Sequence, residues 1–158
     1  MTRYWLIKTE PGCYSIQDFA RDRITSWDGV RNYQARNFMK DDMRHGDMVL
    51  FYHSVTNPSV VGLARVVKEA YPDHTAFDPE DRHFDPRSTP EKPRWFMVDI
   101  EFVSQFPRPI PLKELRRTPG LEDMELLRKG SRLSVMPVSE EAFSIIIELA
   151  KENDNAKD

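Results

Sequence analysis

The sequence predicts an α+β domain, a small mixed β-barrel flanked by short helices. Three observations predict it. Apolar runs of strand length recur along the chain, bounded by turn residues. The segments between them carry helix caps and short apolar stripes, never a long helical period. The 158 residues, 39% hydrophobic and 31% charged, suit one folded domain with a buried core.

Taken in order, Tyr4-Trp5-Leu6-Ile7 is the first strand, closed by the turn signal Pro11-Gly12. Ser15, with Asp18 three residues on, caps a short helix to about Arg21. Ile24 to Trp27 returns to extended chain, and Asn32 caps a second helix from Tyr33 to about Asp42, with Ala35, Phe38 and Met39 inward. Met48 to Tyr52 and Val60 to Val67 form a hairpin across Asn57-Pro58, and Gly62 inside the second strand marks a bulge or a close backbone approach. Residues 72–93 hold five of the twelve prolines and read as a long loop. Arg94 to Val103 is one more strand, after which Pro107, Pro109 and Pro111 break the chain. Leu112–Arg117 and Glu122–Lys129 read as short helices, Leu133–Met136 as a strand, and Ser139 caps a last helix with Phe143, Ile146, Ile147 and Ala150 on its apolar face. A single domain over residues 1–150 and a frayed, disordered tail over 151–158 follow.

Composition narrows the function. No apolar run approaches the ~20 residues of a membrane helix, and no membrane partner is expected. One cysteine, Cys13, excludes an internal disulfide and a cysteine zinc site. There is no GxGxxG and no phosphate-binding Walker loop, so no cofactor is expected. His74, Asp78, Asp81, His83 and Asp85 match no metal motif and read as solvated loop charges, so no metal site is expected. The net charge is −3, unevenly spread: residues 1–67 carry nine Lys/Arg against seven Asp/Glu, and residues 68–158 carry fourteen against nineteen. A nucleic-acid contact would be local, with a shallow salt dependence.

The stretch from Trp27 to Asn37 concentrates chemistry. It holds an aromatic ring, the glycine hinge Gly29, Arg31 and Arg36, and Asn32 and Asn37. A flat ring, edge-reading amides and cations are the parts of a pocket for a nucleobase pulled out of its strand. The same composition also describes a polar loop leading into a surface helix. Trp5 and Trp95 lie in apolar runs and read as core, whereas Trp27, between Ser26 and Asp28, is the stacking candidate. His53 and Ser54 are adjacent on a strand, so they face opposite ways and form no nucleophile–base pair. They read as site-lining or structural groups, and no catalytic residue is expected. Arg132 to Val135 gains meaning only if it lies beside the Trp27 loop.

The blocks YWLIKTEPGCYS, WDGVRNYQARN, GDMVLFYHS, VVGLARVV and RLSVMPVS, in this order, resemble the EVE domain family. Where the family pattern has Gln in the last block, this chain has Met136. The resemblance spans Tyr4 to about Ala150 and implies a PUA-like fold, kinship with the YTH domains that hold a methylated adenine of RNA, and no catalysis. It implies a reader of modified bases in DNA, notably modified cytosines such as 5-methylcytosine; reading such a base generally requires flipping it into a pocket. Carried over, the pocket comprises Trp27, Gly29, Val30 and Asn32, then Tyr52, His53 and Ser54, then Leu133 and Ser134, with Trp5 and Lys8 from the first strand. Arg31, Arg36 and Arg132 would hold flanking phosphates. The expected partner is modified DNA or RNA, bound by a monomer, in bacterial cytoplasm or in a eukaryotic nucleus. An RNA reader, or a small-molecule site or enzyme of nucleic-acid metabolism using His53, are the alternatives.

Overall fold

A computed structural model describes residues 2–151. The tail expected beyond residue 151 lies outside the described residues. The chain runs β1 (Tyr4–Thr9), α1 (Ile16–Asp22), β2 (Ile24–Ser26), α2 (Tyr33–Asn37), β3 (Met48–His53), β4 (Ser59–Pro72), β5 (Phe96–Pro111), α3 (Leu112–Arg117), β6 (Val135–Val138) and α4 (Glu140–Lys151). One six-stranded sheet has the order β2-β5-β4-β3-β1-β6. The α+β, PUA-like class expected is the one present, with β2 and β6 as the two edges of the sheet. No helix among the described residues is long and apolar enough to cross a membrane.

β1 pairs in parallel with β3, from Tyr4 opposite Met48 to Thr9 opposite His53, and antiparallel with β6. Because β1 is flanked on both sides, its middle is fully apolar: Trp5, Leu6 and Ile7 are buried with Val49, Leu50 and Phe51 of β3. Burial of such side chains contributes about 1.5–3 kcal/mol each. The Trp5 indole N–H donates to Asp47 Oδ2 at 2.9 Å, and the backbone N–H groups of Arg3 and Arg44 donate to the same carboxylate. The β3–β4 hairpin forms as its turn residues predict, with a bulge between Phe51 and Tyr52. Gly62 serves both of its expected purposes. The register slips beside it, and a Cβ there would lie 2.6 Å from Ile16 Cδ1 and 2.7 Å from the Ser104 carbonyl oxygen. So α1, capped by Ser15 and Asp18 as expected, packs directly on the sheet.

Several elements differ from expectation. The helix after Asn32 is α-helical only to Asn37, then widens to a π-turn over Phe38–Asp42 closed by the Met43 N–H to the Phe38 carbonyl. The wide turn lets both Met39 and Met43 face the core, where both are fully buried. β4 continues to Pro72 and β5 runs through three prolines to Pro111. The Leu112 N–H donates to the Pro58 carbonyl at 2.9 Å, so Pro111 faces away from β4, while Pro107 and Pro109 fall in the register slip between the Gly62–Gln105 and Val60–Ile110 pairs. β2 covers β5 only at Asp99–Glu101, and the prolines fall on the open edge beyond it, where no N–H is required. The helix expected over Glu122–Lys129 is only a 3-10 turn at Glu125–Leu127. Successive three-residue turns there bury Leu121, Met124 and Leu126. The strand expected at Leu133–Met136 is shifted to Val135–Val138 and carries Pro137 on an edge strand.

Candidate functional site

The turn 9–13 that leaves β1 separates two concavities. The first is a cleft of about 590 Å³ at the start of the Trp27 stretch. Lys8 and Ser134 come from the β1–β6 side, Thr9, Glu10, Cys13 and Tyr14 from the turn, Thr25 and Ser26 from β2, and Trp27 to Asn32 from the loop after it; Arg82 and His83 close the far side. The second is a groove of about 900 Å³ lined by Pro11, His53, Pro58, Val61, Pro109, Pro111, Leu112 and Arg116 among others.

Trp27 is fixed by its backbone and by its neighbours. Its N–H donates to the Val98 carbonyl at 2.8 Å, continuing the β2–β5 ladder by one residue. Its ring meets Phe51 edge-on at 5.7 Å and Tyr14 edge-on at 6.2 Å. Edge contacts hold the indole upright and leave it half-buried, lining the cleft. The Tyr14 hydroxyl donates to Asp22 at 2.9 Å, and burial together with that carboxylate pushes its pKa up to about 12. Tyr14 therefore offers the cleft a ring and not an acid.

The far wall is the long loop, and it is an ordered structure. Asp73 is fully buried. Its Oδ1 accepts from the Thr75 N–H and hydroxyl, and its Oδ2 from the Gly29 N–H at 2.8 Å and from Arg31 at 3.0 Å. Burial works to raise the Asp73 pKa, but these donors outweigh it and hold the carboxyl below its usual range. Arg31 also donates to the His83 carbonyl and to Thr75 Oγ1. Beyond it, Tyr33 stacks on Trp95 at 4.7 Å, with Arg36 over Tyr33 and Arg31 over Trp95. Arg36 donates to the Arg94 carbonyl, and the Trp95 indole donates to buried Asp85 at 2.7 Å. Gly29 has φ +78°, and a Cβ on it would come 2.6 Å from His83 Cε1. Only glycine fits a left-handed turn with an imidazole pressed on it.

The charged groups facing the cleft are balanced. Lys8 has no ion-pair partner among the described residues, and partial burial lowers its pKa against a weaker opposing pull from Glu125. Asp28 accepts no hydrogen bond among the described residues, and its pKa is raised by desolvation and by the nearby Asp73 carboxylate. Asn32 caps α2 through its Oδ1 to the Ala35 N–H at 2.9 Å, which leaves its amide N–H₂ for other partners. An aromatic wall, the cations of Lys8 and Arg82, the carboxylates of Asp28 and Glu10 and scattered hydroxyls suit a flat, polar, nearly neutral ring.

Of the residues singled out in the sequence, the structure brings Lys8, Trp27, Gly29, Val30, Arg31, Asn32 and Ser134 to this cleft. Val30 is buried, and the Arg31 guanidinium is turned to Asp73 and not outward. Trp5, Tyr52, His53, Ser54, Leu133, Arg36 and Arg132 do not line it. Trp5, Tyr52 and Leu133 are buried in the core. Ser54 donates to the Thr9 carbonyl. His53 lies on the second groove, and its Nε2 accepts the first N–H of α1, from Ile16, at 3.0 Å. Burial lowers its pKa, so it is a neutral structural acceptor. Arg132 is exposed in an adjoining hollow that shares Asn32 with the cleft. Sequence reasoning missed Tyr14, Asp28, Arg82 and His83. Tyr14 and Asp28 sit inside the two conspicuous blocks and could have been taken with them; His83 was weighed only as a metal ligand and set aside as a loop charge, and Arg82 carries no local signal.

The chain has relatives in which this framework recurs. It is 44% identical to thymocyte nuclear protein 1 of Mus musculus, over 94% of this chain and 74% of that protein. A solved structure of a hypothetical protein from Leishmania major is 45% identical, with a TM-score of 0.93 and coverage of 98% of both chains. A crystal structure of human THYN1 protein in complex with 5-methylcytosine-containing DNA is 41% identical, with a TM-score of 0.86 over 94% of this chain and 98% of that one. The EVE domain model matches residues 3–149, so that the parallel β1–β3 pair, the Trp27 loop and the β6 strand all lie within the match, and the chain belongs to the EVE domain family.

Proposed function

We propose that the chain is a non-catalytic reader of a modified base, a 5-methylated cytosine in DNA, flipped from its strand into the Trp27 cleft. One observation carries this: a half-buried indole is held upright at a polar cleft, in a chain 41% identical to a protein solved with 5-methylcytosine-containing DNA. Reading a base edge from inside a pocket requires unstacking it first. Trp27 stacks on the base, which is worth ~1–3 kcal/mol, and Tyr14 closes the aromatic corner. The Asn32 amide, Ser134 and backbone groups at Val30 read its edge. Lys8, Arg82 and Arg132 are the cations offered to flanking phosphates, while Arg31 and Arg36 hold the wall. A methyl group adds only ~1–3 kcal/mol of contact, so preference over the unmodified base is modest.

The test is binding of the purified protein to oligonucleotides identical but for one residue: cytosine, 5-methylcytosine, 5-hydroxymethylcytosine or methylated adenine, each as DNA and as RNA. Preference for methylated cytosine in DNA, lost in Trp27→Ala with the fold intact by circular dichroism, is the expected result. A preference confined to RNA would transfer the assignment to an RNA reader. Uniform weak binding that disappears with salt would end the reader assignment.

A further inference from the structure

We propose that Asp28 makes the cleft select a base with an exocyclic amino group, as cytosine has, over one with a carbonyl in the same place, as thymine has. This rests on the reader assignment above. Asp28 follows Trp27 directly, and both line the cleft. In this proposal a ring stacked on the indole turns its edge towards the Asp28 carboxylate, across the one cleft that both residues line. In its ionised form that side chain is an acceptor with no proton to give. It accepts the N4 amino group of cytosine, the pairing that carboxylates make with that base, and it repels the O4 oxygen of thymine.

The neighbours leave Asp28 alone in this role. Asp73, the nearest buried carboxylate, is filled by Thr75, Gly29 and Arg31. Glu10, the other carboxylate on the cleft, belongs to the turn out of β1 and not to the Trp27 wall. Asp28 itself has no hydrogen-bond or ion-pair partner among the described residues and is exposed on the cleft, so its oxygens are open to a donor arriving with the ligand. The cleft is thereby built to reject thymine, the one common base whose methyl group and ring match those of 5-methylcytosine.

Thymine is for that reason the control. Two DNA strands differing only by 5-methylcytosine or an unpaired thymine at the read position present the same methyl and the same stacking face. The wild-type protein is expected to prefer 5-methylcytosine by about tenfold or more. Asp28→Asn, whose amide both accepts and donates, is expected to bring the two within about threefold while still binding both. Trp27→Ala is expected to lose both strands. Equal binding of the two strands by the wild type would overturn the role of Asp28. So would an unchanged preference in Asp28→Asn, or a loss of preference in Glu10→Gln instead. If the wild type binds no modified strand better than its plain counterpart, the reader assignment fails, and this inference with it.

Discussion

The cleft and the groove lie on either side of one turn, and they are opposites. The groove is the larger, at about 900 Å³ against 590 Å³, and its walls are proline rings, Val61 and Leu112. The cleft is smaller, but it holds the upright indole and, without hydrogen-bond or ion-pair partners among the described residues, the side chains of Lys8 and Asp28. Size and greasiness would choose the groove. Directional chemistry chooses the cleft, because a recognition site needs polar groups without partners and a scaffold that keeps them so. The groove's histidine, His53, already has its partner in Ile16.

The comparison breaks most forcefully at Asp73. Asp73→Ala leaves the Arg31 guanidinium beside a fully buried site with no counter-charge, a loss of about 3–5 kcal/mol. Denaturant melts should show it, and the cleft should lose its ligand while small-molecule probes of the groove are unaffected. The same carboxylate predicts an acid limit. Its folded pKa is depressed, so its stabilisation is complete above its unfolded value near 3.9 and is lost as pH falls through the folded one. Asp85, held down by its hydrogen bonds from Trp95 and Arg87, adds to the same slope. Melting temperature against pH should therefore fall steeply below about pH 4, and the slope should shrink in Asp73→Asn.

Trp27→Ala is the next largest effect, ~1–3 kcal/mol of base affinity by titration, with little change in fold because the backbone bond to Val98 remains. Gly29→Ala should cost about 1–2 kcal/mol for its left-handed turn and push His83 off the wall. Combining it with His83→Ala should recover part of the stability loss, a coupling readable in a double-mutant cycle. Asp28→Asn should move in the other direction. A carboxyl whose folded pKa is raised destabilises the fold at pH above that value. Its removal should raise the melting temperature slightly even as it dulls the choice of base. Arg116→Ala, in the groove, is the smallest change: base affinity and stability should stay within about 0.5 kcal/mol. A marked loss of base binding there would erase the distinction between the two sites.

The sequence made the fold legible where patterning is local. Ser15 and Asn32 announce their helices, and Leu50 and Phe51 announce a buried strand. It obscured β5, because three prolines at spacing two read as a break until one knows that they fall at a register slip and along the stretch that β2 leaves uncovered. In the site, Trp27, Lys8 and Ser134 were legible, since an aromatic without apolar flanks stands out and the family pattern supplied the rest. Arg31 and Arg36 were read as cations for a ligand, but their partners lie some forty to sixty residues away, at Asp73, His83 and Arg94. His53 was grouped with the pocket because strand ends often line sites. Which side of the turn 9–13 it would face depends on the parallel β1–β3 register, which no local pattern reveals.

That register also dictates when the cleft can exist. β1 must wait for β3 on one side and for β6, some 130 residues later, on the other, and the Lys8 N–H meets the Ser134 carbonyl only then. Long loops close slowly, and parallel pairing is among the slowest contacts to form. On a ribosome, the recognition surface is thus assembled last, after nearly the whole domain has emerged. Pulse-labelled hydrogen exchange during refolding should find the β3–β4 hairpin protected early and the amide of Lys8 protected late. The chain can acquire its compact shape well before it acquires the cleft proposed to tell one base from another.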